Sequence, residues 1–411
     1  MAVRAEEERA RLVRRSTLLL AAAQVALWGS IGVSAAFGPI TTFQLTHRES
    51  SAAVMLGVYF LAAAVAARVV GRAMDRVGRR PGLAIGYAVL ATGGAVVAVA
   101  AAAGSFAALL GGAVLLGAGV GAGQLGRGAV ADMYPPDRRG RAIGTLLVAG
   151  TAGAVGAPLL AGGIHSLARG LGWDQPLVAP WLLVPVLAGV GLALVTVLSP
   201  DPRDLAAEGP SGAPARRPGE ILRLRPGLVA ACTIATAQVV MVTFMGVVPV
   251  VLHAHGAGAV TVSMVVSFHL AGMFAFSRFV GAALDRWGRR AGLIGGAALL
   301  AGGVLLSLVA GTVIPAAGLF LVGVGWSAAY LGSTAVVSDL ATPVERAGAL
   351  GLTDLVASLA AAIGVLSGAA ILEAAGLPTL VMAALVLVTA AASLIAVLRE
   401  PARPMAATPE G

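Results

Sequence analysis

The decapeptide Gly71-Arg72-Ala73-Met74-Asp75-Arg76-Val77-Gly78-Arg79-Arg80 returns 210 residues later as Gly281-Ala282-Ala283-Leu284-Asp285-Arg286-Trp287-Gly288-Arg289-Arg290, and an arginine stands three residues ahead of each copy, Arg68 and Arg278. A second repeat follows at a spacing of 207, in which Val130, Asp132, Pro136, Arg139, Ala142 and Gly144 match Val337, Asp339, Pro343, Arg346, Ala349 and Gly351. Two polar signatures in the same order in each half of the chain describe one structural unit used twice. Each decapeptide is a short charged break between long apolar stretches, and those stretches identify the unit.

The chain has 411 residues, of which 58% are hydrophobic and 11% charged, with a mean hydropathy of +0.92. Soluble domains carry about 25% charged residues. This chain lacks the polar side chains to cover a globular surface in water, which excludes a soluble enzyme. Apolar stretches recur at 16–40, 51–71, 81–103, 106–133, 142–166, 178–199, 227–252, 260–282, 291–311, 314–340, 347–374 and 377–398. Stretches of about 20 residues cross a hydrocarbon layer as helices, because a helix satisfies its own backbone where water is absent. The pattern predicts an all-α integral membrane protein with twelve transmembrane helices. The first stretch exceeds the roughly 7–15 residues of a signal-peptide core, so Val33-Ser34-Ala35-Ala36 is read as part of a retained helix and not as a cleavage site.

All 28 basic residues are arginine, and the net charge is +9. A nucleic-acid binder would gather them on one face among aromatics; here they gather in alternate loops. Only Arg48 and Arg169 fall in loops on the opposite side, and Arg127 lies within a span. Basic loops are retained in the cytoplasm, so both termini are expected there, with the chain in a prokaryotic cytoplasmic membrane. Residues 1–15 then form a tail, 16–199 a first six-helix bundle, 200–226 a linker, 227–398 a second bundle and 399–411 a second tail. Pro200, Pro202, Pro210, Pro214 and Pro218 give the linker the composition of a disordered segment. The chain contains no lysine and no asparagine, which removes the Walker A lysine, the Schiff-base lysine and the N-glycosylation acceptor. Cys232, alone, makes neither a disulfide nor a cysteine metal site. No cofactor, metal, catalytic set or nucleic-acid partner is expected, and the chain is read as a monomer that is not an enzyme.

The loops Gly71–Arg80 and Gly281–Arg290, of the form G-x-x-x-D-R-x-G-R-R, resemble the signature loop of the major facilitator superfamily, and the resemblance extends over nearly the whole chain. It implies two pseudo-symmetric six-helix bundles around a cavity that opens to each side in turn, moving a small-molecule substrate with protons as coupling ion. It further implies a pair of conformational latches. Gly71 would allow close helix approach, Asp75 would end the second helix and face the N-terminus of the eleventh, and Arg79 would reach Asp132. In the second copy, Gly281 and Asp285 would serve the fifth helix and Arg289 would reach Asp339. The fourth-helix motif of the family carries an arginine where this chain has Ala113. Gly144, Gly153, Ala157, Pro158, Ala161 and Gly162 are similar to the antiporter motif of the family's drug exporters, although small residues at this spacing also serve plain helix packing. The run Gly121-Ala122-Gly123-Gln124-Leu125-Gly126 fits a dinucleotide fingerprint but lies inside an apolar helix with no preceding strand, so close packing is the reading.

Ionisable side chains cost roughly 2.5–3.5 kcal/mol at mid-bilayer, so the few present mark function. The polar set is Gln24 in the first span, Gln124 and Arg127 in the fourth, Gln238 in the seventh, His269 in the eighth and Asp354 in the eleventh. Spans three, six, nine and twelve have no Asp, Glu, His, Arg or Gln in their interiors, which points them at lipid. Trp28 lies four residues after Gln24 and Tyr330 four after Trp326, so each pair shares a helix face and is read as cavity wall. Asp354 and His269 are candidate proton sites, although a histidine in an apolar helix is more often neutral and bonded to a backbone carbonyl. Arg68, at a depth similar to that of Asp354, is expected to pair with it and close the cytoplasmic side; the partner of Arg127 stays open between Asp132, another helix and an anionic substrate. The leading functional reading is proton-coupled efflux of a small, largely apolar organic compound. The competing one is a proton-coupled importer of a metabolite or organic anion. A reporter active only outside the cytoplasm is expected to work when fused after Gly104 and to fail after Gly212; activity at Gly212 would overturn the orientation.

Overall fold

The computed structural model describes residues 2–134, 136–205, 216–254 and 256–397. Its elements are α1 (Ala2–Thr46), α2 (Glu49–Val77), α3 (Arg79–Ala103), α4 (Phe106–Gly123, continuing as Gly126–Asp132), α5 (Pro136–Gly170) and α6 (Val178–Thr196) in the first half. The second half holds α7 (Arg225–Ala254), α8 (Ala259–Phe274, continuing as Ser277–Trp287), α9 (Arg289–Leu306) and α10 (Val313–Leu340). A last helical run, Pro343–Ala396, is broken at Gly376 (φ 79°) into α11 (343–375) and α12 (377–396). Its apolar part is 49 residues long, about twice what one crossing needs, so twelve crossings are present.

The bundles are held by small residues that bring backbones together, which is how helices associate where no hydrophobic force acts between them. Cβ atoms at Gly117 and Gly121 of α4 would strike the carbonyls of Tyr59 and Ala63 on α2, and one at Gly153 of α5 would strike the carbonyl of Val25 on α1. The apparent dinucleotide motif is thus a helix-packing surface. The helix-five motif does the same work, with Ala157 seated against Gly29 and Pro158 against Gly32.

The structure adds detail to the sequence reading. The basic tail 1–15 is helical from Ala2 and runs on into the first span as one helix, α1. The described part of the linker is ordered, with turns at 202–205 and a short helix, Pro218–Arg223, that buries Ile221 and Leu222; the tail 399–411 lies outside the described residues. The chain does not reverse at Asp75. It reverses at Gly78 (φ 105°), whose N–H donates to the Met74 carbonyl at 3.0 Å, and in the second half at Gly288 (φ 93°), bonded to Leu284 at 3.1 Å. Those φ values favour glycine. A Cβ at Gly71 would meet Leu125 only at an ordinary 3.7 Å, and one at Gly281 would meet nothing within 4 Å, so neither glycine is required for close approach here.

The Gly117→Ala substitution forces a methyl onto the Tyr59 carbonyl and is expected to cost about 1–3 kcal/mol of stability. Gly111→Ala, which meets nothing within 4 Å, should leave the melting temperature of the detergent-solubilised protein unchanged.

Candidate functional site

A cavity of about 770 Å³ lies between the two halves. Its lining comes from α1, α2, α4, α5, α7, α8, α10 and α11, together with Pro218 and Gly219 of the linker helix; α3, α6, α9 and α12 contribute none of it. It opens on the linker side. On the far side the halves meet: the Ser267 hydroxyl of α8 donates to the Val155 carbonyl of α5 at 2.9 Å, Gly162 receives Ser263, and Gly57 of α2 receives Leu366 of α11. An exposed ion pair, Arg48–Glu373 at 3.4 Å, adds little there.

Arg127 stands just after the one-turn break in α4 and reaches across the cavity to the other half. Its Nη2 lies 3.0 Å from Oδ2 of Asp354 on α11, its Nη1 donates to the Tyr330 hydroxyl of α10 at 2.6 Å, and its Nε donates to the Gln124 carbonyl at 3.3 Å. In this state, with the linker side open, Asp354 pairs with Arg127 and not with Arg68, the partner expected when that side closes. Arg68 lines the same cavity beside Arg72 and makes no bond or ion pair among the described residues. Residue counting along two helices says nothing about which faces turn toward each other.

An aromatic row continues from the bridge. Tyr330 stacks on Trp326 (centroids 5.0 Å, planes 13° apart), Trp326 meets Phe274 at 6.1 Å, and Phe274 meets Trp28 of the opposite half edge-on at 4.5 Å. Trp326 Nε1 donates to Gln238 Oε1 at 2.6 Å, which fixes the amide with its nitrogen free of that bond. Gln124, Gln238, Trp28, Trp326 and Tyr330 all line the cavity, but two sequence candidates do not. His269 is buried between α8 and α10, its Nδ1–H donating to the Leu319 carbonyl at 2.7 Å. Gln24 is buried in the first bundle near Gly126. Phe274 escaped the sequence reading because an apolar residue in an apolar helix carries no local signal.

At the linker face, Arg79 Nε lies 3.0 Å from Asp132 Oδ2 and Arg289 Nε lies 3.7 Å from Asp339 Oδ2. The side chains of Asp75 and Asp285 lie outside the described residues. Two anchors here were not foreseen. Asp201 caps α3, accepting the N–H of Arg79 at 3.1 Å and of Arg80 at 2.8 Å, and a Cβ on Gly78 would sit 2.7 Å from its carboxylate. Glu345, in the first turn of α11, accepts the Arg216 side chain at 2.9 and 2.8 Å and the N–H groups of Arg216 at 2.7 Å and Thr342 at 2.9 Å. The Arg216 guanidinium first, then those two backbone donors, hold the Glu345 carboxyl far below the usual carboxylate range.

Two parallel bundles around a cavity that is open to one face and closed to the other, with a charged bridge between them, define a secondary membrane transporter, not an enzyme. The chain belongs to the Major Facilitator Superfamily, whose model matches residues 18–251 and 230–411. It is 28% identical over 376 residues to the uncharacterized MFS-type transporter YdeG of Bacillus subtilis (strain 168), covering 88% of this chain and 87% of that one. To the riboflavin transporter RfnT of Brucella anthropi it is 26% identical over 347 residues, 84% of this chain and 85% of the relative. The human organic anion transporter MFSD10 (TETRAN) shares the fold, with a TM-score of 0.66 at 16% identity over 93% of this chain and 99% of that one.

Because its pKa is depressed in the folded state, Glu345 stabilises the fold fully above about pH 4.3, and that contribution is lost as pH falls toward the depressed value. Glu345→Gln should therefore lower the melting temperature at pH 7, with the gap to wild type narrowing below the usual carboxylate range.

Proposed function

We propose that the chain exports a small, largely apolar organic compound in exchange for protons, with Asp354 as the proton site, acting as a monomer in the cytoplasmic membrane of a prokaryotic cell. The observation that carries this reading is the Arg127–Asp354 pair at 3.0 Å in an otherwise largely apolar, aromatic cavity. While Asp354 is ionised the pair is net neutral, and an apolar compound can cover it. Once Asp354 is protonated, Arg127 becomes a lone guanidinium that needs water, and burying it under apolar cargo costs several kcal/mol. Proton and cargo therefore exclude each other, which is the condition for exchange. Arg79–Asp132 and Arg289–Asp339 act as latches that stiffen each half at the linker face while the halves rock. A single chain contains the whole cavity, which supports a monomer, and the B. subtilis relatives support a prokaryotic membrane. The cargo in the name of the RfnT relative, riboflavin, is a small organic molecule and fits the size class.

A second reading rests on Arg68 and Arg72, which join Arg127 on the cavity wall against Asp354 alone among the described charged residues of the lining. An organic anion would replace Asp354 on Arg127 once the carboxylate is protonated. Anion and proton would then travel together, as in an importer. The two readings differ in the sign of proton coupling. Purified protein in weak buffer is expected to release protons on binding a neutral ring compound such as riboflavin, and proton uptake would favour the second reading. In proteoliposomes, Asp354→Asn should retain downhill exchange but lose at least about tenfold of the acceleration given by a pH gradient. Full gradient response in that variant would sink the assignment of Asp354.

A further inference from the structure

The turn that joins α10 to α11 is pinned by a residue of the inter-bundle linker. Arg216 Nη2 donates to the Leu340 carbonyl at the end of α10 at 2.8 Å, while the same guanidinium and the Arg216 backbone N–H hold Glu345 in the first turn of α11. The Glu345 side chain is 3% exposed, so this fork is closed off from competing water on the carboxylate side. The neighbouring Pro218 seats against Gly348, where a Cβ would lie 3.0 Å from its ring.

The two arms of this hairpin carry the two groups that meet Arg127. Tyr330 lies ten residues before Leu340 and Asp354 nine residues after Glu345. At about 1.5 Å per residue they sit roughly 15 and 14 Å from the pin, level with each other. A slip of one residue in α11 would turn Asp354 by about 100° and take it off the guanidinium. The duplication offers a comparison. In the first half Arg138 occupies the repeat position of Glu345 and Leu147 that of Asp354, while Thr334 repeats Arg127. The acidic residue of the pin therefore occurs only in the hairpin that carries the acidic partner of the bridge.

We propose that Arg216 is a positioning residue for the coupling site: by fixing the α10–α11 turn it sets the register in which Tyr330 and Asp354 meet Arg127. This rests on the reading of Asp354 as the proton site. Arg127 of α4 contacts Asp354 and is shared with Tyr330 of α10, while Tyr59, Arg68 and Arg72 of α2 line the same cavity; the described lining residues of α1, α5, α7 and α8 add no charge.

The test uses full-length protein in proteoliposomes and reads the pH at which gradient-driven transport of riboflavin, or of the best-bound compound from a neutral-ring panel, is half maximal. In Arg216→Gln that midpoint is expected to move up by about one pH unit, the scale of losing a nearby opposite charge, and Arg216→Lys should recover part of the shift. Adding Arg216→Gln to Arg127→Gln should move nothing further, because both act through one contact. A residue that only stabilises the turn would lower the melting temperature and leave the midpoint where it was. An unmoved midpoint in folded Arg216→Gln, or a shift that adds to that of Arg127→Gln, overturns the proposal. If Arg216→Gln does not fold, Glu345→Asp, one methylene shorter, carries the same test with a smaller shift expected in the same direction. Retained gradient response in Asp354→Asn would instead defeat the underlying proton-site reading, so the two failures are told apart.

Discussion

A guanidinium and a carboxylate 3.0 Å apart, one from each half of the chain, set the terms for the rest of this molecule. Neither charge could be left alone in a membrane interior without a penalty of several kcal/mol. They are tolerated because they face a cavity, with Arg127 25% and Asp354 40% exposed, and because Arg127 also bonds the Tyr330 hydroxyl and the Gln124 carbonyl. The surrounding residues follow from this requirement. Tyr330 must stand beside α11 to share the guanidinium, Trp326 lies one turn away and stacks on it, and the indole N–H of Trp326 then dictates the orientation of Gln238. A row of apolar rings leads from the bridge to Trp28 in the other half.

Such a bridge can work only if the halves move as bodies. Within each half, glycines allow backbone to touch backbone, at Gly117 and Gly121 of α4 against α2, at Gly153 of α5 against α1, and between Gly303 of α9 and Gly318 of α10. Contacts of that kind leave little room for sliding. Between the halves the closest contacts are made by side chains and single hydrogen bonds, as at Gly57 with Leu366, Gly162 with Ser263 and Ser267 with Val155, and the bridge crosses the same seam.

The repeat and the span count could be read from the sequence because each depends on local pattern, charge in loops and length in spans; the Arg79 and Arg289 contacts were implied by the family resemblance of the repeated loop. The Arg127–Asp354 bond could not be read, since the partners are 227 positions apart and helical spacing reports depth, not azimuth. His269 is buried with its ring bonded to the Leu319 carbonyl, the plain packing role that the sequence also offered for it. The linker was misread for a different reason. Proline, glycine and arginine without apolar period look disordered, yet Asp201 and Arg216 are held by groups 122 and 129 residues away. No window along the chain contains those partners.

Duplication gave this chain two nearly equivalent scaffolds, and the chemistry lies where they stopped being equivalent. The loops at Gly78 and Gly288 turn alike, with φ of 105° and 93°, and each half keeps its arginine–aspartate pair. At the positions that face the cavity the match fails: arginine against threonine at 127 and 334, aspartate against leucine at 354 and 147. Two matched bodies suffice for rocking, and a symmetric chain would carry a second bridge between 334 and 147, where this chain has threonine and leucine. An exchange of protons for cargo needs one acid and one base on opposite bodies, so that protonating the acid changes the attraction between the halves themselves. On the proposed exchange mechanism, the loss of symmetry at these positions is what would couple a proton to the motion of the two halves.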